Sequence, residues 1–141
     1  MTMNAKELRI GNLVTVADKE AIWEVYAVER FVRVIDLEGN KEFIPYRDLR
    51  PINLSHEWLE RMGFQKLYME DGDFFYELDL FGPDSKLTLI EGDKNGMVEV
   101  CLSFSENEVR FQYVHQVQNF YRAVTGKELK ISVQKEVESC Q

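Results

Sequence analysis

The side chains able to do chemistry in this chain are two histidines, two cysteines and a surplus of carboxylates. A structural zinc site takes four ligands, usually paired by a CxxC or HxxxH spacing, and neither spacing occurs. His56 therefore reads as a surface residue in the first turn of a short helix. His115 reads as the partner of a backbone carbonyl or a neighbouring carboxylate. Glu70-Asp71-Gly72-Asp73 and Asp93-Lys94-Asn95-Gly96 resemble fragments of calcium loops, but neither is completed by a glutamate at the twelfth position. Turn chemistry accounts for Asp-Gly and Asn-Gly without an ion. Cys101 lies in a strand-like run, with no helix start or basic neighbour in sequence to lower its pKa, and Cys140 lies in a polar tail. No phosphate-cradling glycine loop or nucleophile elbow is present. The expectation is a protein that is not an enzyme, with no catalytic, cofactor-binding or metal-ligating residues.

What remains is recognition. His115, Gln116, Gln118 and Asn119 form a neutral polar face on one helix, where a plain solvent face would carry Lys and Glu. These four are the candidate partner-binding set; the plain alternative is a helix whose polar side is only solvated. Trp23, Phe75 and Phe81 fall on the less apolar sides of their strands. They read as core residues where two layers meet, with a docking patch as the alternative.

The elements that must hold these residues follow from periodicity. Leu13 to Ala17, Ile22 to Glu29, Phe31 to Leu37 and Lys41 to Tyr46 are short runs rich in β-branched and aromatic residues, separated by Asp18-Lys19-Glu20 and Glu38-Gly39-Asn40. With the Asp48–Arg50 turn they predict an SH3-like small β-barrel. Ser55 is an N-cap and Gly63 a stop for a helix of about two turns carrying Trp58, Leu59 and Met62. Gln65–Glu70, Asp73–Phe81, Lys86–Glu91 and Met97–Ser105 alternate as in an antiparallel sheet with one side on a core. Val114, Val117, Tyr121 and Val124 recur at helical spacing over Tyr113–Thr125, an amphipathic helix able to cover that sheet. Leu129, Ile131 and Val133 alternate as an added edge strand would. The fold class is thus α+β. Its organisation is a barrel lobe over 1–52, a helix plus covered sheet over 53–134, and a mobile tail over 135–141, as two lobes or as one compact domain.

Length and charge narrow the partners. A chain of 141 residues with 45% hydrophobic side chains can fill one interior. The net charge of −8 arises within residues 51–112, which hold thirteen acids and five bases. Binding to nucleic acid releases counterions through a basic surface, so this segment argues against it. No apolar run approaches the length of a bilayer span or a signal peptide, which predicts a cytoplasmic protein with no membrane partner.

Three segments carry a resemblance: Glu7-Leu8-Arg9-Ile10-Gly11-Asn12-Leu13-Val14; Asp48-Leu49-Arg50-Pro51-Ile52-Asn53-Leu54 with Trp58-Leu59 and Gly63-Phe64; and Tyr113-Val114-His115-Gln116-Val117-Gln118-Asn119 with Thr125-Gly126. Together they resemble a group of short, uncharacterised bacterial proteins associated with phage and other mobile-element gene neighbourhoods. The resemblance runs from Asn4 to Leu129 and implies one cytoplasmic unit; it brings no activity and no catalytic residues. The leading expectation is a non-enzymatic protein-binding module of phage or mobile-element origin. One rival is an acidic nucleic-acid mimic that inhibits a DNA-processing enzyme. Another is weak nucleic-acid binding by the barrel through Arg30, Arg33, Arg47 and Arg50.

Overall fold

The computed structural model describes residues 3, 5–28, 32–82, 85–91, 98–102 and 108–133. Strands β1 (Leu13–Val16), β2 (Trp23–Val28), β3 (Val32–Asp36), β4 (Lys41–Ile44) and β5 (Leu49–Arg50) form one antiparallel sheet in the order β4-β3-β2-β1-β5. Alternation sends Val14, Val16, Val25, Val32, Val34, Ile44 and Leu49 to one side, where they build a core with Met3, Leu8 and Trp23. Between Val25 and Ala27, β2 carries one residue more than β3 opposite. Such a bulge strengthens local twist, and this sheet is curled like half a barrel.

The β3–β4 turn is held by one side chain. The Asp36 carboxylate accepts the Glu38 and Asn40 backbone N–H groups at 2.9 and 2.8 Å and the Asn40 amide at 2.9 Å. These bonds, the Asn40 amide foremost, favour the ionised form and hold the Asp36 pKa below its ordinary value.

Helix α1 (His56–Arg61) follows a connector that is itself paired: the Leu54 N–H donates to Gln112 O and the Val114 N–H to Ile52 O, both at 2.9 Å. Ser55 caps the helix by accepting the Trp58 N–H at 3.3 Å. At the other end the Gly63 N–H donates to Glu60 O and the Phe64 N–H to Leu59 O, each at 3.0 Å. That is the 5→2 and 6→1 pair of a Schellman stop, and it needs the positive φ of 94° that Gly63 adopts.

A second antiparallel sheet runs β10-β9-β8-β7-β6, from β6 (Gln65–Tyr68), β7 (Phe74–Gly82), β8 (Ser85–Glu91), β9 (Val98–Leu102) and β10 (Glu108–Phe111). Helix α2 (Val114–Thr125) leads out of it. Tyr76, Leu80, Leu87, Leu89 and Phe111 of the sheet share a core with Leu59, Met62 and Phe64, with Val114 and Val117 of α2, and with Leu129. Leu13 joins this second core while its neighbour Val14 lies in the first, so β1 serves both layers.

Some expectations change. Leu129, Ile131 and Val133 form no strand. The Ser132 N–H donates to Arg61 O at 3.0 Å, so the segment crosses the end of α1 instead of lying along a sheet edge. Trp23 is buried and Phe75 half-buried, but Phe81 is 66% exposed. It sits where β7 and β8 slip register, between Asp79 and Gly82. The Asp93–Gly96 turn and the 135–141 tail lie outside the described residues.

The stop at Gly63 yields the first prediction. A Cβ there would meet only the Leu78 Cδ1 at 3.6 Å, an ordinary contact, so the cost of Gly63→Ala is backbone strain alone. It is expected to be about 1 kcal/mol in denaturant unfolding, with Gly63→Asn costing less. Equal stability of Gly63→Ala and wild type contradicts this.

Candidate functional site

Three of the four helix residues singled out by their chemistry, His115, Gln118 and Asn119, meet the Glu7–Leu13 segment. Gln118 is buried: its Oε1 accepts the Leu13 N–H and its Nε2 donates to Gly11 O, both at 2.9 Å. Asn119 donates to Glu7 O at 2.7 Å, and its Oδ1 accepts from Asn12 Nδ2 at 2.8 Å and Arg9 Nε at 3.0 Å. Asn12, fully buried, turns its own Oδ1 to the Arg9 N–H at 2.7 Å. Arg9 then grips Glu128 with two nitrogens, at 2.8 and 3.0 Å. Gln116 caps its own helix, its Oε1 accepting the Gln112 and Tyr113 N–H groups at 2.8 and 3.1 Å. Gly11 has φ of 98°, and a Cβ would meet the Glu128 carboxylate at 3.2 Å, which explains why no side chain stands there.

The expectation of an exposed docking face is therefore corrected for His115 and Gln118, which are 1% and 2% exposed. Their uncharged polar groups serve the interior because a buried Lys or Glu would lose its hydration, whereas an amide can be fully hydrogen-bonded. His115 Nε2 lies 3.2 Å from Glu7 Oε1 and its ring stacks on Tyr113 at 5.8 Å. An ionised carboxylate only accepts, so Nε2 carries the proton, and the buried Nδ1 has no partner among the described residues. Burial lowers the His115 pKa, with Glu7 pulling the other way through its hydrogen bond and charge.

The remaining candidates go elsewhere. His56 is exposed and shares a 2.7 Å hydrogen bond with the Tyr76 hydroxyl. Asp71 accepts the Asp73 N–H at 3.0 Å, as a turn residue does. Among the described residues, no group of three or more His, Cys, Asp or Glu side chains is placed to hold a metal ion. No described helix is long and apolar enough to cross a membrane. The Arg33 guanidinium lies over the Phe43 ring at 4.7 Å, and Arg50 donates to Arg47 O and Leu49 O. Arg30 lies outside the described residues.

Among the described residues, one concave surface that could take a ligand is not evident from the sequence. A groove of about 550 Å³ runs between the turns of the curled sheet, α1 and the segment after α2. Its apolar lining is Ala21, Ile22, Leu37, Trp58 and Val133; Glu20, Asp36, Glu38 and Glu57 stand with Arg61 around it. Leu37 is 56% exposed. Arg61 lies over the Trp58 ring at 4.9 Å and bonds Glu57 at 2.7 Å, while Asp36 is engaged by its own turn. The Glu20 and Glu38 carboxylates make no hydrogen bond or ion pair among the described residues. An apolar side chain seated here gains about 1.5–3 kcal/mol, and each exposed charge pair adds about 0–1 kcal/mol. Apolar contact would thus set affinity, and charge would set selectivity. The one signal in the sequence is Leu37 itself, an apolar residue between two acids at a turn.

No protein-family model, curated protein or solved structure matches this chain.

His115 yields the prediction here. The fold favours its neutral form, so below the ordinary histidine value of 6.5 the unfolded chain binds a proton that the folded chain resists. Stability is full above that pH and falls as pH drops toward the lowered folded pKa. His115→Gln is expected to flatten this loss in unfolding curves taken between about pH 7 and 5. An unchanged slope contradicts the assignment.

Proposed function

We propose that this chain is a non-enzymatic protein-binding module that takes a segment of its partner into the groove over Leu37 and Trp58. The single observation behind the reading is that groove: an apolar floor left half-open among carboxylates, drawn from three separate elements. It is concave and apolar with a few polar groups at the edge, as binding sites commonly are. The N-terminal lobe is read as an SH3-like small barrel, a scaffold that offers its turns to partners. The second sheet, backed by α2, supplies the support for α1. A phage or mobile-element origin and a cytoplasmic setting complete the proposal, both resting on the sequence resemblance and hydropathy.

The rival of an acidic nucleic-acid mimic has weaker support. Glu77 is engaged by Lys86 at 3.2 Å, and Glu70, Asp71 and Asp73 cluster at a hairpin end. A mimic needs acids in a phosphate-like row.

The test is recovery of partner from cells by tagged wild type and by Leu37→Asp. A stoichiometric protein bound by wild type is expected to be lost with Leu37→Asp, while unfolding midpoints stay equal because Leu37 is exposed. Equal recovery by both, or no partner alongside turnover of a small molecule, overturns the proposal.

A further inference from the structure

The carboxylates around the groove say what kind of segment it takes. Among the described residues, four stand against one cation, Arg61, whose guanidinium is already bonded to Glu57 and laid on Trp58. Glu20 and Glu38, the two whose carboxylates have no partner among the described residues, come from different turns and line the groove with Leu37. An occupant must present an apolar side chain to Ile22, Leu37, Trp58 and Val133, and positive charge on either side of it.

We infer that the groove selects a partner segment in which one large apolar side chain is flanked by Lys or Arg. This rests on the protein-binding reading and deepens it by naming the chemistry recognised. Charge also decides among occupants. A second copy of this chain carries −8 overall. The chain's own residues 134–141 contain two Glu and one Lys, so they too bring net negative charge toward carboxylates. An acidic or neutral segment gains the apolar contact but meets repulsion or nothing at the rim. Charge complementarity of this kind acts on partner choice and encounter rate more than on total affinity.

The experiment uses the full chain and three synthetic peptides read by fluorescence anisotropy. One has a central leucine flanked by Lys and Arg; one has the same leucine flanked by Glu; one has the basic flanks around a serine. The basic leucine peptide is expected to bind saturably, with both others at least about tenfold weaker. Glu20→Lys with Glu38→Lys is expected to remove about tenfold of that affinity, and 0.5 M salt to do the same, since rim charges are screened within a few ångströms at that strength. Both acids are exposed, so the unfolding midpoint checks that the double variant is folded. Equal binding of the Glu-flanked peptide, or an unmoved affinity in the double variant, overturns the cationic requirement while leaving a protein-binding groove standing. Loss of all binding in Leu37→Asp, with the charge variant unaffected, overturns that requirement in the same way. No saturable binding of any peptide, before or after removal of residues 134–141, overturns this inference; the recovery test with Leu37→Asp then decides the broader reading separately.

Discussion

The carboxamide of Gln118 is the interaction on which this architecture turns. It donates to Gly11 O and accepts from the Leu13 N–H, acting on the turn before β1 much as a neighbouring strand would. The Leu13 N–H is buried and the Gly11 carbonyl half-buried, and a buried group left without a partner costs about 1–3 kcal/mol. Net stabilities of small domains are only about 5–15 kcal/mol, so a loss of that size is decisive. Asn12 and Asn119 extend the arrangement, and Arg9 carries it to Glu128. One polar seam thus joins the curled sheet to the helix lying on the second sheet.

The groove inherits its shape from that seam. Glu128 is fixed by Arg9, Leu129 is buried in the second core, and Ser132 is tied to the end of α1. The chain between them has little freedom, so Val133 arrives beside Trp58 as a wall. On the opposite side, Ile22 packs against the second core although it belongs to the barrel half, and the Asp36 turn presents Leu37. Among the described residues, three elements meet there and leave these apolar residues half-open.

Much of the α+β pattern is legible in the sequence because period-two rows such as Val14, Val16 and Val32, Val34 leave only one face for a core. Local punctuation is legible too: Ser55 and Gly63 bound α1 through hydrogen bonds that depend on neighbours in sequence. What sequence does not show is which element a polar side chain meets. Gln118 and Asn119 have the composition of a solvent or docking face, because residue type alone does not reveal that Gly11 and Leu13 lie opposite. Leu129 to Val133 have the alternation of a strand, but Ser132 is bonded to Arg61 O at the end of α1 and the segment joins no sheet. Phe81 lies on the less apolar side of its strand and is exposed, so its aromatic character alone misleads. Three segments far apart in sequence are neighbours in space: Glu7–Leu13, Ile52–Leu54 and Tyr113–Asn119 meet at the seam. Their shared role here is to join layers.

If the seam makes one cooperative body of two sheets, native-state hydrogen exchange measures it most directly. The slowest backbone amides of β1–β3 and of β7–β8 should then exchange with one common opening free energy and one common denaturant dependence. A barrel that opens at distinctly lower free energy than the second sheet, with its own smaller denaturant slope, would show two independent units and contradict the account.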